Sequence, residues 1–190
     1  MRSFLAINIP DHCKDLIEKK VNLIKREVSQ DIKWVEKDNW HLTLKFLGDI
    51  NKNKVTIIKD RLSLVKNDFT KFGIKFQGIG AFPDLNYPKV FFLKINQGKH
   101  KLIKLNQEIE NQLKREGFKP EERDYIPHLT VARSREQTNL RQLSQIYKKF
   151  TDKFFINIYM RAEKISLMKS ELYSGGPVYK KIFDVFLKKP

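Results

Sequence analysis

A chain of 190 residues with 41% hydrophobic and 32% charged residues can bury a substantial core and is too apolar to be disordered. No apolar run nears the roughly 20 residues that span a bilayer, and one cysteine, Cys13, rules out an intramolecular disulfide and a cysteine-rich metal site. The net charge of +16 favours polyanionic partners such as nucleic acid, although a lysine-rich solvated surface would show the same excess.

Phe4 to Ile9 reads as a strand ended by Pro10, and Asp11 as the N-cap of a helix in which Leu16, Ile17, Val21, Leu23, Ile24 and Val28 recur at helical spacing. Asn8, Pro10 and Asp11 interrupt the first apolar stretch too early for a secretory segment, so a cytoplasmic protein is expected. Ile32 to Val35 is short and extended, Glu36 to Asn39 a polar turn, and Trp40 to Leu47 a strand closed by Gly48-Asp49. Val55 to Val65 is helical. Phe72 to Phe82 is a strand whose Gly73, Gly78 and Gly80 suggest bulges, and Val90 to Ile95 pairs with it as a hairpin. The order then repeats: a helix over Leu102 to Leu113 stopped by Gly117, a charged loop from Lys119 to Asp124, a strand after Pro127, and a helix from Leu140 to Phe150. Phe154 to Tyr159, Glu163 to Lys169 and Val178 to Leu187 close the chain as strands, the last after the turn Ser174 to Pro177. Without a linker-like stretch, this order predicts one α+β domain over residues 1–190, with antiparallel sheets and a duplicated, two-lobed plan.

The duplication is sharpest in one tetrapeptide. His41-Leu42-Thr43-Leu44 recurs as His128-Leu129-Thr130-Val131, an offset of 128 − 41 = 87 positions, and takes two of the four histidines. In a strand, residues i and i+2 share a face, so each unit presents an imidazole beside a hydroxyl while its aliphatic residues anchor the core. Two imidazoles near pKa 6.5 can divide the work of general base and general acid. Two threonine hydroxyls can donate to the oxygens of a phosphate between them. That equipment suits in-line attack on a phosphodiester. No third ligand accompanies the pair, so metal-independent, cofactor-free chemistry is expected. A single His-x-Thr is a weak signal, more often a surface or hydrogen-bonded strand residue than a catalyst. Its recurrence in both halves is a strong one.

These runs resemble a known family, the two-histidine phosphoesterases, and within it the LigT-like RNA 2′,3′-cyclic phosphodiesterases, formerly called 2′-5′ RNA ligases. The resemblance rests on Arg2 to Ile7, His41 to Gly48, Pro127 to Arg133, Leu167 to Leu172 and Gly176 to Tyr179. It implies a bilobal fold with pseudo-twofold symmetry, two antiparallel sheets facing across a central cleft and helices outside. It also implies hydrolysis of an RNA 2′,3′-cyclic phosphate to a 2′-phosphomonoester, with His41 protonating the leaving 3′ oxygen and His128 activating water. Reversal with an RNA 5′-hydroxyl would make a 2′-5′ linkage. The implied partner is RNA with a cyclic phosphate end, tRNA fragments among the candidates, acted on by a monomer away from membranes.

The resemblance assigns Arg133 a substrate contact, suited to phosphate oxygens, and Phe46 a stacking contact with the terminal base. Strict alternation puts both on the face opposite the histidines, so Arg133 needs a bulge or an early strand end and Phe46 would be core. Lys45 falls on the histidine face. Tyr125, Trp34, Trp40 and Cys13 are expected to pack, and His12 and His100 to lie on the surface. Two alternatives stand beside the enzyme: an RNA-end-binding protein without turnover, and a two-histidine phosphodiesterase for small cyclic nucleotides.

Overall fold

The computed structural model describes residues 1–28, 32–135, 139–150 and 156–189. Its elements in chain order are β1 (Arg2–Asn8), α1 (Asp11–Glu27), β2 (Ile32–Trp34), a 3₁₀ turn (Lys37–Asn39), β3 (His41–Asp49), α2 (Lys52–Val65), β4 (Phe72–Phe82), β5 (Val90–Gln97), α3 (Lys99–Lys114), β6 (His128–Ser134), α4 (Leu140–Lys149), β7 (Asn157–Ala162), β8 (Lys164–Tyr173) and β9 (Gly176–Phe186). The strands make two antiparallel sheets, a first ordered β3-β1-β8-β9 and a second ordered β2-β6-β5-β4-β7. The expected α+β class with antiparallel sheets is what forms. Of the strand expected from Phe154, the structure shows β7 from Asn157; Phe154 and Phe155 lie outside the described residues.

β1 explains why its sequence is apolar without alternation. Leu5 and Ile7 enter the main core with Leu42, Leu44 and Leu167, while Phe4 and Ala6 join Met168 and Tyr179 in a small cluster on the other face. A strand covered on both sides has no polar face to show. In α1, Cys13, Ile17, Val21 and Ile24 are buried at helical spacing, whereas Leu16 and Leu23 are exposed. The helix start differs from expectation. Pro10 occupies the N-cap, where no side chain caps the helix, and Asp11 is the first helical residue; its carboxylate still sits favourably in the positive first turn.

Gly78 has φ 81° where β4 slips against β5 between Phe76 and Ile79, so one of the three expected glycine irregularities is a true bulge. Gly117 likewise adopts φ 75° after α3. At one end the sheets are tied together by the bridge Thr70–Lys188 and by Lys71 N–H donating to the Lys188 carbonyl at 2.9 Å. Near the histidine strands, the Tyr125 hydroxyl donates to the Thr43 carbonyl at 2.9 Å.

Candidate active site

Each histidine opens its strand, and each is oriented by the chain just before it. His41 Nδ1 donates to the Asn39 carbonyl at 2.7 Å, and His128 Nδ1 to the Ile126 carbonyl at 2.6 Å. A proton committed to a backbone oxygen at Nδ1 leaves Nε2 as the reactive nitrogen of the neutral ring. The two sites then diverge. His41 Nε2 receives a hydrogen bond from the Thr43 hydroxyl at 3.0 Å, while among the described residues no bond joins His128 to Thr130. Thr43 and Thr130 share their histidines' faces, as strand alternation predicts.

Alternation then fails in both strands, and at the same place. In the β1–β3 ladder Leu5 faces Lys45 and Ala6 faces Thr43, leaving Leu44 as an extra residue. In the β5–β6 ladder Phe91 faces Ala132 and Phe92 faces Thr130, leaving Val131 extra. These bulges are again 131 − 44 = 87 positions apart. Each shifts the phase by one, so Leu44 and Lys45 are both buried and Phe46 is 63% exposed, and likewise Val131 and Ala132 are buried and Arg133 is exposed. Phe46 and Arg133 therefore emerge on the histidine faces. Phe46 is a cleft residue rather than core, its ring 6.2 Å from Phe4, which itself stands 4.7 Å from the His41 ring. Arg133 lies close enough for its charge to act on both His128 and Tyr179.

The same shift corrects the placement of Lys45. Instead of sharing the histidine face it is buried, its ammonium held 2.7 Å from both Glu110 carboxylate oxygens and 2.9 Å from the Lys119 carbonyl. The carbonyls of both extra residues take donors from outside the bulged ladders. Asn106 Nδ2 serves Leu44 at 2.8 Å, and the backbone N–H of Val35 serves Val131 at 2.9 Å.

Aromatic rings frame both imidazoles. Tyr179 meets His41 edge-on at 5.1 Å; Phe82 and Phe92 meet His128 at 5.1 and 5.2 Å. Gly80 is what lets Phe92 lie there, since a Cβ at that position would come within 2.5 Å of its ring. Burial pushes the His41 imidazolium down to about 4, aided by the charges of His128 and Lys14 and opposed by the Asn39 contact. Burial also lowers His128, with Arg133 assisting and the Ile126 bond opposing. His41 feels the charge of His128, and Tyr179 beside it feels that of Arg133, so two groups of the first sheet lie within reach of the second sheet's histidine face.

Tyr179, Phe4, Phe82 and Phe92 were not among the residues expected at the site. All four lie in strands where an aromatic residue reads as core, and only Phe4 and Tyr179 fall in runs that carried the resemblance. Asn8, opposite His41 in the ladder, is a further addition. It donates to Ser166 Oγ at 2.9 Å, and Ser166 donates to Asp184 at 2.6 Å, a part-buried polar thread on the first sheet. His12 and His100 are exposed, as expected.

Paired imidazoles delivered by two equivalent half-chains define a duplicated phosphoesterase site, and the known proteins place it. The family model of the LigT-like phosphoesterases matches the chain twice in succession, over residues 7–92 and 93–179, one match for each histidine unit. The chain belongs to this family. Among its relatives, the RNA 2′,3′-cyclic phosphodiesterase of Methanocaldococcus jannaschii is 37% identical over 96% of this chain and 98% of the relative. The protein of the same name from Archaeoglobus fulgidus is 34% identical over 95% of this chain and 97% of its own length. A crystal structure from Thermus thermophilus shares the fold with a TM-score of 0.80 at 21% identity, covering 100% of this chain and 99% of that one.

Proposed function

We propose that this protein hydrolyses the 2′,3′-cyclic phosphate at the end of an RNA to a 2′-phosphomonoester, using His41 as general acid and His128 as general base. The observation that carries the reading is the matched orientation of the two rings. Both commit Nδ1 to a backbone carbonyl and so leave Nε2 as the reactive nitrogen, in a chain whose full-length relatives bear that enzyme's name. Water attacks phosphorus as His128 Nε2 takes its proton, the bond from phosphorus to the 3′ oxygen breaks, and His41 Nε2 protonates that oxygen. Thr43 and Thr130 donate to the phosphoryl oxygens, Arg133 balances their charge, and Phe46 stacks on the terminal base.

The asymmetry between the sites supports this division. Before substrate binds, the Thr43 hydroxyl occupies the His41 Nε2 lone pair. An arriving phosphate draws that hydroxyl to itself, and its negative charge favours a proton on Nε2. His128 Nε2, without such a bond among the described residues, is open to a water. Every residue in the scheme comes from one chain, which supports a monomeric enzyme.

The test is reaction of an oligoribonucleotide ending in a 2′,3′-cyclic phosphate, with EDTA present, and phosphorus NMR of the product. A 2′-phosphate is expected. A 3′-phosphate would overturn the leaving-group assignment, and tight binding without product would replace the enzyme by an end-binding protein.

The pH dependence follows from the two lowered imidazoles. The active form carries one proton between them, so kcat/KM should be bell-shaped and centred below the ordinary histidine value of about 6.5. Its lower limb belongs near the His41 value of about 4. The Arg133 charge disfavours the His128 imidazolium, so Arg133→Met should move a limb to higher pH. A profile centred above 7, or limbs unmoved in the variant, would contradict the scheme.

A further inference from the structure

The histidine face of the second sheet does not end at His128. In the β5–β6 ladder Lys94 is directly opposite His128, and its side chain runs over Gly80. In the β4–β7 ladder Lys75 faces Tyr159 and Gly73 faces Arg161, on the same side of the sheet; the opposite side holds the buried Ile74, Phe76, Ile158 and Met160. Among the described residues, none of Lys75, Lys94 and Arg161 has a carboxylate partner. Tyr159 is 54% exposed, with one part of its ring resting on Gly73, where a Cβ would lie 3.0 Å from a ring carbon. The glycine thus gives the tyrosine a flat seat and leaves ring surface open.

Tyr159 and Arg161 also line a cavity of about 760 Å³. Its other wall includes Asn8, the ladder partner of His41, so the cavity adjoins the catalytic cleft from the first sheet as well. Lys71 and Lys164 reach it too, but Glu163 and Asp184 hold their charges. From β6 to β7 are three strand intervals, about 14 Å at roughly 4.8 Å each. Tyr159 is also displaced along the strands from the Lys94–His128 row, and a stacked strand advances about 3.4 Å per nucleotide, so the path takes at least about four nucleotides.

We propose that this face is an RNA track: Lys94 and Lys75 neutralise phosphates upstream of the cyclic end, and a base several nucleotides away stacks on Tyr159 with its phosphate at Arg161. The proposal rests on RNA being the substrate. It adds that the enzyme measures substrate length, because a dinucleotide with its cyclic end at His128 cannot reach Tyr159, three strands away. Aromatic stacking and unpaired cations in succession are the features that hold single strands without reading their sequence.

The test is fluorescence anisotropy with 5′-labelled oligoribonucleotides ending in a 2′-phosphate, a hexamer against a dinucleotide. These probes need no turnover, so failure of hydrolysis in the reaction above leaves this measurement able to decide. The hexamer should bind more tightly to the natural protein. Tyr159→Ala should shrink that length advantage about five- to a hundredfold, and Tyr159→Phe should keep it. Replacing Lys75 and Arg161 together by alanine should make the negative slope of log affinity against log salt shallower by about 1.4, at roughly 0.7 per phosphate contact. Equal affinity for both lengths in the natural protein, or an undiminished length advantage in Tyr159→Ala, would overturn the track. So would an unchanged salt slope in the double variant.

Discussion

Substituting either His41 or His128 by alanine is expected to lower kcat by roughly 10²- to 10⁴-fold, the range for one acid–base group. The informative variant is the double. If the two imidazoles work in one concerted displacement, losing the first removes most of what the second can contribute, and the double variant should be little worse than the weaker single. If instead each merely binds phosphate, the losses should multiply. Single-turnover rates on a cyclic-ended oligonucleotide separate these outcomes, because they isolate chemistry from product release. KM should change little in comparison, since the proposed phosphate contacts Thr43, Thr130 and Arg133 all remain. Full activity in either single variant would sink the mechanism outright.

The same substitutions test how deeply the site is duplicated. The offset of 87 positions joins the histidines, the bulges and, two residues further on, Phe46 and Arg133. Duplication reproduced the backbone device but not the side chain it exposes. One half offers an aromatic ring and the other a guanidinium, as the proposed base-stacking and charge-balancing roles require. The partners that satisfy the two bulges differ as well, a side chain for Leu44 and a backbone N–H for Val131.

Those bulges mark where the sequence stopped being legible. Period-two alternation placed His41, Thr43, His128 and Thr130 correctly because the side-chain direction in a regular strand is local. A bulge is not local: whether Leu44 is extra depends on what β1 offers it and on a donor, Asn106, that lies 106 − 44 = 62 positions away. Hence Phe46 looked like core, Arg133 looked misplaced and Lys45 looked like a cleft residue. The aromatic frame was hidden for a related reason. A phenylalanine on a strand covered on both faces reads as core whichever side it takes, so the cleft rings Phe4, Phe82 and Phe92 could not be separated from true core residues. Element order, by contrast, was plain from turn residues and periodicity, and only fine features such as the Pro10 helix start differed.

Breaking the Lys45–Glu110 pair should produce the largest stability loss outside the hydrophobic core. The Lys45 side chain is only 2% exposed, and its ammonium has two kinds of partner, the Glu110 carboxylate and the Lys119 carbonyl. Glu110→Ala leaves that charge buried with a single neutral acceptor, a change that costs about 3–5 kcal/mol. At about 2–4 °C per kcal/mol for a chain of this size, the melting temperature should fall by roughly 6–20 °C. Asn106 and Glu110 are four positions apart on α3 and grip consecutive residues of the bulge, Leu44 and Lys45. The lost clamp should therefore also be felt one residue on, at Phe46, as a raised KM for cyclic-ended RNA. Replacing both partners, Lys45→Met with Glu110→Leu, removes the unpaired charge and should recover most of the stability, because apolar substitutes for a buried pair are often neutral or better. Urea unfolding of the three proteins checks the sequence of effects. A loss below about 1 kcal/mol in Glu110→Ala, typical of a surface pair, would show that Lys45 finds water, and a double variant no better than the single would show that the charge was not the cause.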